Sequence, residues 1–128
     1  MQRLVFIILT TLSAVAFAED FTKAEICKAT IAVEMGRDPG SMKVGKPIGN
    51  DATVSYVRTD DGQTFNYKCR VTGDTVVWAT YFEDSKSWGR WRNQYANGDA
   101  QTTFEAVGSK LVISNDQSGE QVFDKKDF

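Results

Sequence analysis

The chain has 128 residues, with 15 basic and 17 acidic side chains, no histidine and two cysteines, for a formal net charge of −2. One domain fits that length, and so slight an acidic excess speaks against a dedicated nucleic-acid or anionic-lipid binder, which carries a clustered basic surplus. The missing histidine removes Ser-His-Asp and Cys-His catalysis together with the commonest metal ligand.

The chain opens Met1-Gln2-Arg3, runs uncharged from Leu4 to Leu12 and reaches Ala16-Phe17-Ala18 just before Glu19-Asp20. Residues 1–18 therefore read as a secretory signal peptide cleaved after Ala18. The apolar run is too short for a mature membrane span. Cys27 lies too far from the cleavage point for lipid anchoring, so no membrane anchor is expected. Residues 19–128 are expected to form a single α+β domain that is periplasmic or secreted. In an oxidising compartment Cys27 and Cys69 are expected to form a disulfide, because a redox pair usually takes the form Cys-X-X-Cys. Closing that loop is worth about 4 kcal/mol in the chain-entropy picture.

Phe21 to Ile26 carries several helix-start signals at once: Thr22 as N-cap, Glu25 closing a capping box, and Phe21 placed to staple onto Ile26. Ile26, Cys27, Thr30 and Val33 then recur at helical spacing until Gly36 and Pro39 end the helix. Ser41–Asn50 reads as a loop with one short edge strand. Beyond it, β-branched and aromatic segments alternate with Gly- and Asp-containing turns. The predicted strands are Ala52–Thr59, Thr64–Val71, Thr75–Phe82, Arg90–Ala96, Gln101–Val107, Lys110–Ser114 and a weaker Glu120–Phe123. Within them Phe65, Tyr67, Cys69 and Val71 share one face, while Asn66, Lys68 and Arg70 share the other and read as solvated. The expected fold is α+β: an N-terminal helix packed on a six- or seven-stranded antiparallel β-meander, as a curved sheet or a small barrel, with one disulfide. Asp124–Phe128 reads as a frayed tail.

With both cysteines bridged, an enzyme would have to rely on paired carboxylates, a Ser-Lys pair or a tyrosine. Asp60, Asp61, Asp74 and Asp99 fall in turns, where aspartate suits the backbone. Glu83 and Asp84 are adjacent and point apart. No EF-hand spacing or Gly-rich phosphate loop is present. No cofactor, no metal and no catalytic residue are expected.

The remaining signal is Tyr81 followed by Trp88-Gly89-Arg90-Trp91-Arg92 and Tyr95. Tryptophan, tyrosine and arginine combine large contact area with polar handles and dominate binding hot spots. Tyr81, Trp88, Arg90, Trp91, Arg92 and Tyr95 are the candidate binding residues. The competing assignment places Trp78 and Trp91 in the core, with Arg90 and Arg92 solvated or paired to Glu83 and Asp84.

Tyr67-Lys68-Cys69 on an early strand of a small exported β-meander resembles the Tyr-x-Cys strand of the periplasmic C-type lysozyme inhibitors, which are small β-barrels. The resemblance covers these few residues; that family lacks an N-terminal helix, and here the cysteine partner lies upstream in one. It implies an inhibitor or other partner-binding role. The leading expectation is an exported, non-enzymatic binding module, an inhibitor or immunity-type protein acting on an envelope hydrolase or toxin. The alternatives are a small-ligand or glycan-binding β-barrel lined by Tyr56, Tyr67, Trp78 and Phe104, and an assembly factor that adds a β edge to another chain.

Overall fold

The computed structural model describes residues 21–128; the expected signal peptide and its cleavage point lie outside the described residues. Helix α1 spans Lys23–Met35, and both halves of the capping box form, with Glu25 N–H donating to Thr22 Oγ1 and Thr22 N–H to Glu25 Oε1. Gly36 ends the helix at φ 63°, ψ 42°, a left-handed conformation that favours glycine. Phe21, at the staple position, packs against the core that includes Ile26 and meets Phe128 edge-on at 6.1 Å. That contact also corrects the frayed tail: Lys125–Asp127 form a turn of 3-10 helix and Phe128 packs against the core.

Ile26, Cys27, Ala29, Thr30, Ile31 and Ala32 of α1 are all buried, more than one amphipathic stripe would bury. The sheet explains this by curling around the helix as a half-barrel. Its strands are β1 (Lys43–Val44), β2 (Ala52–Val57), β3 (Thr64–Thr72), β4 (Thr75–Phe82), β5 (Ser87–Trp88), β6 (Thr102–Val107), β7 (Lys110–Asn115) and β8 (Gly119–Asp124). They pair antiparallel in the order β1-β2-β3-β4-β6-β7-β8, with β5 paired to β4 off that path. The path runs from β1 to β8 without closing, so of the two expected forms the sheet takes the open one. Helix α1 touches β2, β3 and β7, reaching strands from both halves.

The concave side holds the core. Ile31, Leu111 and Ile113 are fully buried there, each worth about 1.5–3 kcal/mol of apolar burial. Tyr56, Phe65, Tyr67 and Trp78 run across the same side with ring centroids 5.3–5.9 Å apart. Cys27 and Cys69 form the expected disulfide between α1 and β3, with Cα atoms 5.6 Å apart.

One predicted strand is absent. Residues 90–96 form no ladder; the chain makes a single bridge, Arg92 to Trp78, and then a 3-10 turn at Tyr95–Asn97. The reason lies at the edge of β4. Strand β6 pairs only with Thr75 and Val76, leaving the rest of that edge open. Residues 87–92 return along it, pairing Ser87 and Trp88 with Phe82 and Tyr81. Gly89 N–H donates to Thr80 O at 2.8 Å and Arg92 N–H to Trp78 O at 2.7 Å.

Candidate functional site

The returning segment decides where the tryptophans go. Cys69 pairs with Trp78, so both face the concave core, while Lys68 opposite Ala79 and Arg70 opposite Val77 face the convex side. Trp78 is 8% exposed in the core, as one sequence assignment has it. Trp91 is not in the core. It lies over the convex side, where its ring sits 4.7 Å from Lys68 Nζ and 4.5 Å from the Arg70 guanidinium carbon. The Trp88 ring lies 4.9 Å from the same Nζ. The Lys68 ammonium is therefore held against two indoles, an arrangement favoured by the negative faces of the rings.

This overturns the reading of Asn66, Lys68 and Arg70 as a solvated row. Asn66 and Lys68 are half-buried, and Ala79, opposite Lys68, has no exposed surface. Arg70 stays exposed at its edge but donates two hydrogen bonds of 3.0 Å to Asp51.

Tyr81 and Trp88, directly opposite across β4 and β5, pack edge-on at 5.3 Å. Gly89 follows because a Cβ there would lie 2.5 Å from the Phe82 ring. Across the face, Gly45 passes so close to Thr53 that a Cβ would meet its Oγ1 at 2.5 Å, and that hydroxyl donates to Lys46 O at 2.9 Å. The 45–48 loop is thereby pinned as a wall facing Tyr81 and Trp88. Between the two lies an open groove of about 360 Å³, lined among others by Lys46, Ile48, Thr53, Asn66, Tyr81 and Trp88.

The two arginines serve a different centre. Arg90 donates from Nη1 and Nη2 to the Asp99 carboxylate at 2.6 and 2.9 Å, and Gln94 N–H adds a third bond at 2.9 Å. Arg92 Nη1 lies 3.9 Å from the same carboxylate, and its guanidinium stacks over Trp78 at 5.6 Å. The competing assignment left these arginines solvated or paired to Glu83 and Asp84; both meet Asp99 instead. The Arg90 hydrogen bonds, then the Gln94 amide, hold the Asp99 carboxyl well below the usual carboxylate range. Tyr95 is 59% exposed, and its hydroxyl donates to Asp116 and Gln101 rather than joining the tryptophans. Of the six candidate binding residues, the structure thus gathers Trp88 and Trp91 around Lys68 with Tyr81 packed on Trp88, ties Arg90 and Arg92 to Asp99, and leaves Tyr95 in the loop. Asp99 is the organiser that sequence reasoning took for a turn former; two arginines close upstream of it were the available signal.

A second, polar cavity of about 160 Å³ lies between α1 and this loop, lined by Glu34, Trp78, Arg92, Asp99 and Gln117 among others. Burial there pushes the Glu34 carboxyl up, against hydrogen bonds from Asn115, Trp78 and Thr102, with the Asp99 charge adding to the rise. Asn115 Nδ2 donates to Glu34 Oε1 at 2.7 Å. Both carboxylates are thus engaged with protein donors. Among the described residues no group of three or more Cys, Asp or Glu is arranged to hold a metal ion.

No protein family matches the chain, nor does any curated protein or solved structure.

The four residues considered as a barrel lining fare differently. Tyr56, Tyr67 and Trp78 are buried beneath α1 and Phe104 packs against the same core. None of them lines either of the two larger cavities, the groove and a 390 Å³ cleft between the start of α1 and the 44–53 segment. No helix among the described residues is long and apolar enough to cross a membrane.

Proposed function

We propose that this protein is an exported binding module that acts by contact rather than catalysis, blocking a hydrolase or toxin of the cell envelope as an inhibitor or immunity-type protein. One observation carries the reading: Tyr81, Trp88 and Trp91 lie on the convex face, and of the three tryptophans Trp78 alone is in the buried core. Large aromatic side chains with polar neighbours, half-exposed on a rigid sheet, are the anchors that binding surfaces use. The Cys27–Cys69 bridge is what an oxidising compartment permits.

The test is affinity capture from an envelope extract with the immobilised mature protein, the Tyr81→Ala/Trp88→Ala variant and a control with Val107→Ala on another part of the sheet. Recovery of a specific hydrolase or toxin should fall about tenfold with the aromatic double variant and stay unchanged with the control. Equal recovery with all three baits would remove this face as the contact surface. Arg90 is left out of the test, because truncating it would strip Asp99 of its bidentate partner and disturb the loop itself.

A second reading is favoured by the groove alone: an aromatic wall beside the Asn66 amide and the Thr53 hydroxyl also suits a sugar ring.

A further inference from the structure

The cations around the groove have no counter-ions of their own. Lys43, Lys46 and Lys68 form no ion pair among the described residues. Asp51, bridged to Ile48 beside the 45–48 loop, is already engaged with Arg70. The register brings the lysines together. Lys43 pairs with Ser55 and Ser55 with Asn66, in one convex row that leads to Tyr81 and Trp88. Thr53 and Lys68 pair in the next row, beside Lys46 on the wall. A chain that is acidic as a whole thus presents three lysines without ion pairs along this groove.

The groove itself is more apolar than polar at its surface, and its wall offers an aliphatic side chain, Ile48, that is 44% exposed. An apolar slot with cations on its floor and rim suits a ligand that brings an apolar side chain flanked by carboxylates.

We infer that the groove between the 45–48 loop and Trp88 takes an acidic segment of a partner protein, one apolar side chain seated against Tyr81, Trp88 and Ile48 and its flanking carboxylates facing Lys43, Lys46 and Lys68. The inference rests on the binding reading above and specifies its partner. Lys68 is the pre-set member, since two indoles hold its ammonium in place. Lys43 and Lys46 are exposed and complete the set. Exposed charges of this kind govern encounter and salt dependence more than final affinity.

The experiment is a ¹H–¹⁵N NMR titration of the mature, oxidised protein with three probes: the blocked peptide Ac-Glu-Asp-Leu-Glu-Asp-NH₂, its neutral counterpart Ac-Gln-Asn-Leu-Gln-Asn-NH₂, and N-acetylmuramic acid. The acidic peptide should shift the Trp88 indole and the amides of Lys46, Asn66 and Tyr81. Its affinity should fall about tenfold both in high salt and in the Lys43→Glu/Lys46→Glu variant, whose substitutions lie at exposed positions. Equal shifts with the neutral peptide, or none at these residues with the acidic one, would overturn the inference. Shifts with the acidic sugar alone would also overturn it and assign the groove to glycan. The capture experiment separates the two claims. If the aromatic double variant loses the partner and the lysine reversal does not, the contact face stands and the acidic partner fails.

Discussion

Glu34 and Asp99 show how much a side chain's environment, rather than its identity, sets its behaviour. They line one polar cavity and are pushed in opposite directions: burial raises the Glu34 carboxyl, while Arg90 and then the Gln94 amide lower that of Asp99. The signs follow by linkage. Glu34, raised on folding, contributes stability that is fully present below its unfolded value of about 4.3 and is lost as pH rises through the folded one. Asp99, lowered on folding, contributes stability present above about 3.9 and lost as pH falls through its folded value. Glu34→Gln should therefore raise the melting temperature at pH 7 and leave it nearly unchanged near pH 4. Thermal melts at both values check this, and an equal gap at the two would rule out a titrating Glu34. Asp99→Ala strands two arginines, and urea unfolding should show a loss of about 2–3 kcal/mol, the scale of charged hydrogen bonds. Arg92 Nε is the one buried side-chain polar atom without a partner among the described residues.

At the scale of elements, the segment that returns along β4 places the candidate site. Its turn holds Lys86 at φ 50°, the one described non-glycine residue with positive φ. Because a side chain in that conformation costs about 1–2 kcal/mol, Lys86→Gly should raise the unfolding free energy read from urea titration by up to about 1 kcal/mol after the added chain entropy of glycine is set against it. Trp91 then fastens the segment to β3 through Lys68 and Arg70. Trp91→Ala should cost about 2–3 kcal/mol, less than truncating a fully buried tryptophan. It should also speed hydrogen exchange at the Gly89 and Arg92 amides, which bond to β4. Unchanged protection at both amides would mean that the strand edge, not the indole, holds the segment.

For the whole molecule, the bridge between α1 and β3 lies where reagents do not reach: Cys27 is 0% and Cys69 1% exposed. Dithiothreitol should reduce it only in denaturant, as read by mass spectrometry of alkylated thiols. The paired Cys27→Ser/Cys69→Ser variant should lose about 4 kcal/mol, as expected for a loop of this length. A native protein reduced within minutes would show that α1 opens readily from the half-barrel.

Much of this architecture is written locally. The capping box at Thr22 and Glu25, the left-handed stop at Gly36, the alternation of Phe65 to Val71 and the hairpin turns each depend on a few adjacent residues, so the helix, most strands and the cysteine pairing were legible in the amino-acid sequence. Arg90–Ala96 was not. Its composition suits a strand, but strand formation needs a free partner edge, and β6 and the return of residues 87–92 had already divided that of β4. The candidate site was half legible for the same reason. Trp88 and Tyr81 stood out by residue type, whereas Lys68 reads as a solvated strand residue until a segment some twenty positions later lays two indoles over it. The sequence by itself determined the elements and the covalent bridge, through short-range propensity and two cysteines with no other partner. Only the tertiary structure decided which face of the sheet is covered, because that depends on where a distant segment finds an unpaired edge.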